Sequence, residues 1–335
     1  MKISFISGVY NSEKYLKKCI DCMLKQTFQN IEILLIVNAS VDNSENIVRE
    51  YEKNFPQIVK GYYFDEKLGA GGSRGYGLKK ATGDYIAFVD NDDLLNEDYL
   101  SKMVDVINQS EKMVDIVTCD FMKITQDEKD ILYTRKFHDE KESLLQSVAP
   151  WAKLYRREFL LNNNLIPRNI PFGEDVIFTS DVYMSGPVVR HCKYVGYLWR
   201  DNLTSTSHTE LAGFPPRTLE LSVSYWKEMY TKHFSTQKEY YGYFLFKYYM
   251  WYLLNSGRNV DKQSMMLEYR KIMEFMNDQY ADWNNFKNNK VIIKGERNIV
   301  SLVLVMLRLM KKIGILEWFF NFYCQAPLGK LWPSL

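Results

Sequence analysis

The chain lacks several features that would place it in a class at once. Its 335 residues carry five cysteines, an odd number without framework spacing, which argues against a disulfide-stapled secreted domain and fits a reducing cytosol. A formal net charge of +2 supplies neither a basic footprint for nucleic acid nor an acidic tail. No apolar run reaches the length of a membrane span. The first residues, MKISFISGVYN, enter a strand pattern directly, so neither a signal peptide nor a transit peptide is expected. Cys19 and Cys22 form a C-x-x-C within a helical pattern, with no second cysteine pair or histidine near, and are expected as free thiols. Aromatic residues are plentiful at 15%, above all tyrosine, which predicts stacking surfaces or a membrane-facing side.

The most informative stretch is Gly83 to Asp98, GDYIAFVDNDDLLNED. Tyr85 to Val89 is too short for a helix and right for a buried strand. It ends in Asp90, Asn91, Asp92 and Asp93, and in an open α/β sheet ligands sit beyond the carboxyl ends of strands. Carboxylates crowded in this way repel one another unless a cation shares them. Hard oxygen ligands suit Mg²⁺ or Mn²⁺, which bind substrate phosphates as well. One reading is therefore a D-x-D site, Asp90-Asn91-Asp92, holding a divalent ion against a nucleoside diphosphate. The other is an acidic loop entering a helix capped by Asn96, with Glu97 and Asp98 in its first turn. The two are compatible.

Strand patterns at Ile3–Val9, Ile31–Val37, Tyr62–Phe64 and Ile116–Cys119 surround this segment. A helical stripe at Tyr15, Leu16, Cys19, Ile20 and Met23 follows Ser12, a candidate N-cap, and a second helix runs from about Glu45 to Asn54. The alternation predicts a mainly parallel, doubly wound sheet. Gly69 to Gly77 does not fit a dinucleotide fingerprint, because it precedes the fourth strand and Arg74 stands at the third glycine. It reads as a helix N-terminus where Arg74 presents a phosphate-matching fork, or as a turn with a surface arginine. Gly173-Glu174-Asp175 opens another helical pattern. The acidic pair is either dipole chemistry or a general base, Asp175, aimed at an acceptor hydroxyl. Further on, Tyr197-Leu198-Trp199-Arg200 precedes Ser205-Thr206-Ser207-His208, where the histidine is either structural or a phosphate or metal contact.

In this order and spacing, the segments over residues 1 to 210 resemble the family-2 glycosyltransferases of the GT-A fold, the bacterial group that builds surface polysaccharides. Val9-Tyr10-Asn11-Ser12 is similar to the family's P-V-Y-N, and Asn38-Ala39-Ser40-Val41-Asp42 to its D-N-A-S-T-D loop. Gly69 to Gly77 resembles G-x-x-x-A-R-N-x-G, Asp90 to Asp93 resembles D-x-D-D, and Gly173-Glu174-Asp175 resembles G-E-D. Tyr197 to Ser207 looks like Y-x-x-R…S-x-T/S. The resemblance implies that Val9, Tyr10, Asn11, Asn38, Asp42, Arg74, Asp90 and Asn91 surround the donor nucleotide. It places Asp92 and His208 at a metal, Mn²⁺ or Mg²⁺, and makes Asp175 the base. Glu174, Trp199 and Arg200 fall in the acceptor and diphosphate region. Attack on the anomeric carbon would then proceed in line, with inversion.

Three positions depart from the family pattern. Gly8 replaces a proline, Gly75 an asparagine, and Val37 the aspartate that serves the nucleobase. Valine accepts no hydrogen bond, so Asn38, Asp42 or backbone must substitute, or the donor is not a common UDP-sugar, or donor binding is impaired.

The fold expected is α/β, a GT-A (Rossmann-like) mainly parallel sheet flanked by helices over residues 1–215, with a helical C-terminal region over 216–335. Within the latter, 299–323 is apolar, contains Trp and Phe and is flanked by basic residues, which suits an interfacial amphipathic helix pair or a helix packed internally. The expected activity is inverting, metal-dependent sugar transfer from a nucleotide-sugar donor to a glycan or lipid-linked glycan acceptor. It would take place in the cytoplasm, at the inner face of the cell membrane and in peripheral contact with it, without nucleic acid. A nucleotidyl- or phosphosugar-handling enzyme would show a basic, glycine-rich loop after strand one, which is not the character of Gly8-Val9-Tyr10-Asn11. The alternative from another class is a non-catalytic glycan-binding or scaffolding relative, motivated by Val37.

Overall fold

The computed structural model describes residues 1–137, 140–202, 213–258, 260–285, 290, 292–294 and 296–325. Two compact units are present, Met1–Leu144 with Val148–Asn169 and Gly186–Leu203, and Leu145–Ser147 with Ile170–Ser185 and Thr204–Leu335.

Among the described residues the first unit is built on one sheet of nine strands: β1 (Ile3–Val9), β2 (Ile31–Asn38), β3 (Val59–Phe64), β4 (Tyr85–Phe88), β5 (Leu94–Leu95), β6 (Ile116–Ile124), β7 (Ile131–Arg135), β8 (Lys153–Arg156) and β9 (Val189–Arg200). The order is β3-β2-β1-β4-β8-β6-β9-β5, with β7 on β6. The expected parallel arrangement is found for β3-β2-β1-β4 and again between β6 and β9. Strand β8 enters antiparallel between β4 and β6, and β5 and β7 are antiparallel additions, so the sheet is mixed. Strands β1, β2 and β4 are near-continuous apolar runs because both sheet faces are covered, and their side chains form the core with α1 (Glu13–Leu24) and α2 (Ser44–Asn54). The chain winds from β1 outward through β2 to β3, then returns to place β4 on the other side of β1. That reversal is the topological switch point, where a crevice opens at the strands' carboxyl ends.

The glycine-rich run is a helix, α3 (Gly69–Lys80), rather than a turn. Glycines lower helix propensity, and close packing explains them. A Cβ on Gly75 would collide with the backbone carbonyl of Pro167, and one on Gly8 would press on Ser73. Both departures from the family pattern therefore accommodate helix packing. Asn96 does not cap the following helix, α4 (Tyr99–Asn108); Asp98 is its N-cap residue. Asn96 instead donates through Nδ2 to the Val195 carbonyl at 2.6 Å, because β5 pairs with β9 at this point.

In the second unit, helix Glu174–Met184 is buried from Val176 onward, and helix Thr218–Ser256 is broken at Gln237. The part of the long helix beyond the break is buried on nearly every side. Much of the tyrosine content goes here, since Tyr241, Tyr243, Tyr248, Tyr249 and Tyr252 are core residues rather than a stacking or membrane-facing surface. Asp181, itself buried, accepts from Lys232 Nζ (2.8 Å), pairs with His233 Nε2 (2.6 Å) and accepts from Tyr225 OH (3.2 Å). These contacts join the Glu174–Met184 helix to the C-terminal helices, whereas the sequence boundary at 215 had left it with the sheet. Helices Lys262–Gln279, Asn298–Lys312 and Leu316–Tyr323 complete the unit. Among the described residues no helix is long and apolar enough to cross a membrane.

Glu32 of β2 accepts from Thr82 N (2.6 Å), Thr82 Oγ1 (2.9 Å) and Lys2 Nζ (2.9 Å), and from Ser4 Oγ, which fastens the starts of β1, β2 and β4 together. Burial alone would raise its pKa, but the Ser4, Lys2 and Thr82 hydrogen bonds outweigh it and bring the carboxyl down to about 2. A depressed carboxylate stabilises the fold above its unfolded pKa and loses that contribution as it protonates. Glu32→Gln should therefore cost about 2 kcal/mol at neutral pH, and the gap should close as pH falls from 4.5 toward about 2. Urea midpoints of both proteins across that range check this; a constant gap would contradict it. Restoring the family residue by Gly75→Asn should destabilise the protein by about 2 kcal/mol, read as a lowered urea midpoint.

Candidate active site

The parallel register brings the loops after β1, β2 and β4 to one edge of the sheet. Asn91 bridges the switch point, its Nδ2 donating to the Gly8 carbonyl at 2.6 Å. Asp90 is partly exposed and its Oδ1 accepts from Arg74 Nη2 at 2.7 Å. The Arg74 fork, 8% exposed, is thus directed at a carboxylate of the acidic loop. Asp92 is half-buried; its Oδ2 accepts from Asn202 Nδ2 at 2.8 Å and its carbonyl from Arg200 Nε at 2.6 Å. Burial pushes the Asp92 carboxyl up, the Asp90 charge adds to this, and the Asn202 hydrogen bond opposes both.

Asp93 decides where this loop goes. It is 1% exposed, with Oδ2 accepting from Tyr197 OH at 2.6 Å and Oδ1 from the Arg200 backbone N–H at 2.8 Å. Burial and then the charges of Asp92 and Asp90 hold its carboxyl well above the ordinary range. Tyr197 also receives the Asp90 N–H at 3.2 Å and stacks on Trp151 at 4.7 Å. Asp93 and Tyr197 carry no role of their own in the sequence motifs; the signal was the last D of D-x-D-D and the Y of Y-x-x-R.

Several residues expected at the donor have structural partners of their own. Val9 and Val37 are core residues, paired across β1 and β2. Asn38 is buried, its Nδ2 donating to Ile36 O and Ser73 Oγ (both 2.9 Å) and its Oδ1 accepting from Leu68 N (3.1 Å). Its side chain clamps β2 to α3 and has no face left for a base. Asp42 caps two helices, accepting from Glu13 N at 2.9 Å and Ser44 N at 3.0 Å. Burial would raise its pKa, but hydrogen bonds from Ser44 and Glu13 lower it. Ser12, the expected cap of α1, makes no side-chain cap bond, since Asp42 takes over that end. Arg200 is 2% exposed, with Nη1 on Gln126 O (2.9 Å) and Glu128 Oε1 (2.8 Å), so it braces the acidic loop from behind. Trp199 is half-buried under Lys123, whose Nζ lies 4.4 Å from its ring centroid. Tyr10 remains exposed, with Lys67 Nζ at 4.3 Å from its ring, and Asn11 holds the neighbouring loop by accepting from Val41 N at 2.9 Å. Cys19 and Cys22 are unpaired, and burial pushes the Cys22 thiol up to about 12.

In the second unit, Gly173 adopts φ +77°, a left-handed conformation, at the start of the Glu174–Met184 helix. A Cβ there would strike the rings of Tyr248 and Trp251. Tyr248 OH donates to the Phe172 carbonyl at 3.0 Å and Phe172 stacks on Trp251 at 4.4 Å, so the approach to Glu174 and Asp175 is held by aromatic packing. Asp175 is half-buried and its Oδ1 accepts from Val176 N at 2.8 Å. His208 lies outside the described residues.

The family model described as Glycosyl transferase family 2 matches residues 4–175, from β1 to Asp175. The chain belongs to this family. Among curated relatives it is 28% identical over 221 residues to the glycosyltransferase EpsH of Bacillus subtilis (strain 168), covering 61% of this chain and 62% of that protein. It is 26% identical over 232 residues to the poly(ribitol-phosphate) beta-glucosyltransferase of Bacillus spizizenii, covering 64% of this chain and 34% of that one. The chain thus spans less than two thirds of the length of these relatives. In fold it is similar to S. aureus TarS 1-349 in complex with UDP-GlcNAc, with a TM-score of 0.59 and 19% identity over 84% of this chain and 90% of that one. The mixed sheet with flanking helices is therefore GT-A-like.

No group of three or more His, Cys, Asp or Glu able to hold a metal occurs among the described residues. Asp90 and Asp92 still suit a divalent cation, which Mg²⁺-type sites hold through one or two carboxylates together with substrate phosphate.

The Tyr197 hydroxyl, which donates to Asp93 and receives the Asp90 N–H, can be tested by itself. Tyr197→Phe keeps the ring that stacks on Trp151 and removes only the hydroxyl. Leaving a buried carboxyl oxygen unpaired should lower stability by about 1–3 kcal/mol with an unchanged urea m-value. A loss below about 0.5 kcal/mol would show that the hydroxyl does not carry the loop.

Proposed function

We propose that this chain transfers a sugar from a nucleotide-sugar donor to a hydroxyl of a glycan acceptor, with inversion, in cell-surface polysaccharide assembly. The observation that carries the reading is the pair Asp90 and Asp92 at the switch-point crevice, braced by Arg74, Asn202 and Arg200. Asp92, with Asp90 beside it, would hold Mn²⁺ or Mg²⁺. When bound, such an ion neutralises charge on the departing diphosphate.

The rest of the chemistry falls to the chain's own groups. Asp175 accepts the proton of the acceptor hydroxyl as its oxygen forms a bond to the anomeric carbon. The bond from that carbon to the diphosphate oxygen breaks on the opposite side, and a single displacement inverts the centre. The exposed Tyr10 ring offers a stacking face for the base, since Val37 and Asn38 are buried and Asp42 is engaged in capping. Base recognition then rests on stacking and backbone rather than on a carboxylate. The match to a poly(ribitol-phosphate) beta-glucosyltransferase supports a polymeric acceptor of the glycan type; that the acceptor is lipid-linked and reached at the inner face of the membrane is part of the proposal. Val37 favours a second reading, a non-catalytic glycan-binding relative.

One panel separates the two: thermal shift and nucleoside-diphosphate release with nucleotide sugars, with Mn²⁺ or Mg²⁺. The native chain should be stabilised by one donor in a metal-dependent way. Asp92→Asn should lose that shift and reduce release by at least about 100-fold. Asp175→Asn should keep the shift while losing transfer, because it removes the base and not the donor site. Absence of any shift across donors and both metals would overturn the transferase reading in favour of the scaffold.

A further inference from the structure

The last two helices of the second unit carry apolar residues on two faces. In helix Asn298–Lys312, Val300, Leu304 and Leu307 are buried, and Arg308 is drawn inward to donate to the Trp283 carbonyl at 2.8 Å. On the other side Ile299, Leu302, Met306, Leu309 and Ile313 recur at three- and four-residue steps, one stripe of a helix. Leu302 and Ile313 are 69% and 68% exposed, and Ile299 and Leu309 are about half exposed at 51% and 48%. Past Gly314, at φ +83°, the exposure continues with Ile315, Trp318 and Phe322. The Trp318 and Phe322 rings stack on each other at 6.0 Å, with Trp318 67% exposed. Ordinary surfaces show such side chains singly; a run of them marks an interaction site.

Charge selects the partner. No acidic residue occurs from Asn298 to Leu316, while Lys311 and Lys312 end the helix. Glu317, the next acid, is engaged with Arg270 at 3.0 Å. Lysines at the helix end, Lys312 exposed and Lys311 half-buried with a stem long enough to bring its ammonium to the surface, an exposed Trp–Phe pair and a broad aliphatic face match the interface of an anionic bilayer, where aromatic rings sit at headgroup depth and lysines reach lipid phosphate. The helix has 15 residues, about 22 Å at 1.5 Å each, short of the roughly 30 Å hydrocarbon layer, so it lies on the membrane rather than across it.

We propose that the outward face of helices Asn298–Lys312 and Leu316–Tyr323 is a docking surface for an anionic lipid bilayer, with Leu302, Leu309, Ile313, Trp318 and Phe322 entering the interface and Lys311 and Lys312 reading the headgroup charge. This names the residues behind the expected peripheral contact, and it stands whether or not the donor chemistry above is correct.

The test is flotation of the full chain with vesicles of phosphatidylcholine alone and of phosphatidylcholine with 30% phosphatidylglycerol. Binding should appear with the anionic vesicles, weaken at 0.5 M NaCl, and fall at least tenfold in Leu309→Ser/Trp318→Ser. Lys311→Gln/Lys312→Gln should reduce the preference for phosphatidylglycerol. Because these side chains are largely exposed, thermal midpoints should stay within a few degrees of the native chain, which separates lost docking from lost folding. Trp318→Phe should remove the blue shift in tryptophan emission that vesicles induce. No flotation with anionic vesicles would overturn the proposal. So would a native dimer, seen by light scattering, that the Leu309→Ser/Trp318→Ser variant converts to monomer, since the face would then belong to a second copy. Donor-dependent thermal shift, measured without vesicles, reports the transferase reading separately.

Discussion

The candidate site depends on one buried carboxylate. Asp93 sits behind the half-buried Asp90 and Asp92 and fixes the loop after β4 to β9 through Tyr197 OH and the Arg200 N–H. Without that attachment, crowded carboxylates at a strand end would separate to reduce repulsion. A buried carboxyl is costly unless it is hydrogen-bonded, and here both oxygens are satisfied by groups on one strand. Arg200 adds a second tie through the Asp92 carbonyl, so the loop is held from its backbone as well as its side chains. The outcome is a loop whose front, Asp90 and Asp92, is only half-buried while its back is locked.

The same economy runs through the neighbouring loops. Asn38, Asp42 and Asn91 carry the polar chemistry that sequence motifs associate with a nucleotide, yet each holds backbone in place: Asn38 joins β2 to α3, Asp42 caps α1 and α2, and Asn91 ties the acidic loop to β1. These are positioning residues for the crevice. Gly8 and Gly75 belong with them, since they let α3 approach the sheet and the Pro167 segment closely enough to aim Arg74 at Asp90. The motif is therefore as much a folding instruction as a list of ligand contacts.

In the second unit, aromatic packing does the comparable work. Tyr248, Trp251 and Phe172 surround a left-handed Gly173 and set the entry of the helix bearing Glu174 and Asp175. Asp181 on the same helix is bound by Lys232, His233 and Tyr225. The G-E-D segment is thus supported by helices beyond the stretch that the family model matches, which ends at Asp175.

Much of this protein is determined by local sequence. The apolar runs of β1, β2 and β4 specify buried parallel strands, because side chains covered on both faces cannot alternate with polar ones. The acidic terminus of β4 marks the crevice, since strand ends are where such a sheet binds ligands. Only the tertiary structure decided which polar residues face that crevice. Asn38 and Arg200 look like ligand groups in the sequence, but hydrogen-bond partners contributed from Ser73, Gln126 and Glu128 turn them inward. The need for glycine at position 75 within α3 was also decided there, by a Pro167 carbonyl that lies more than ninety residues away in sequence. Long-range partners of this kind leave no periodic trace, because a hydrogen bond or a close contact depends on where two segments meet and not on the spacing within either one.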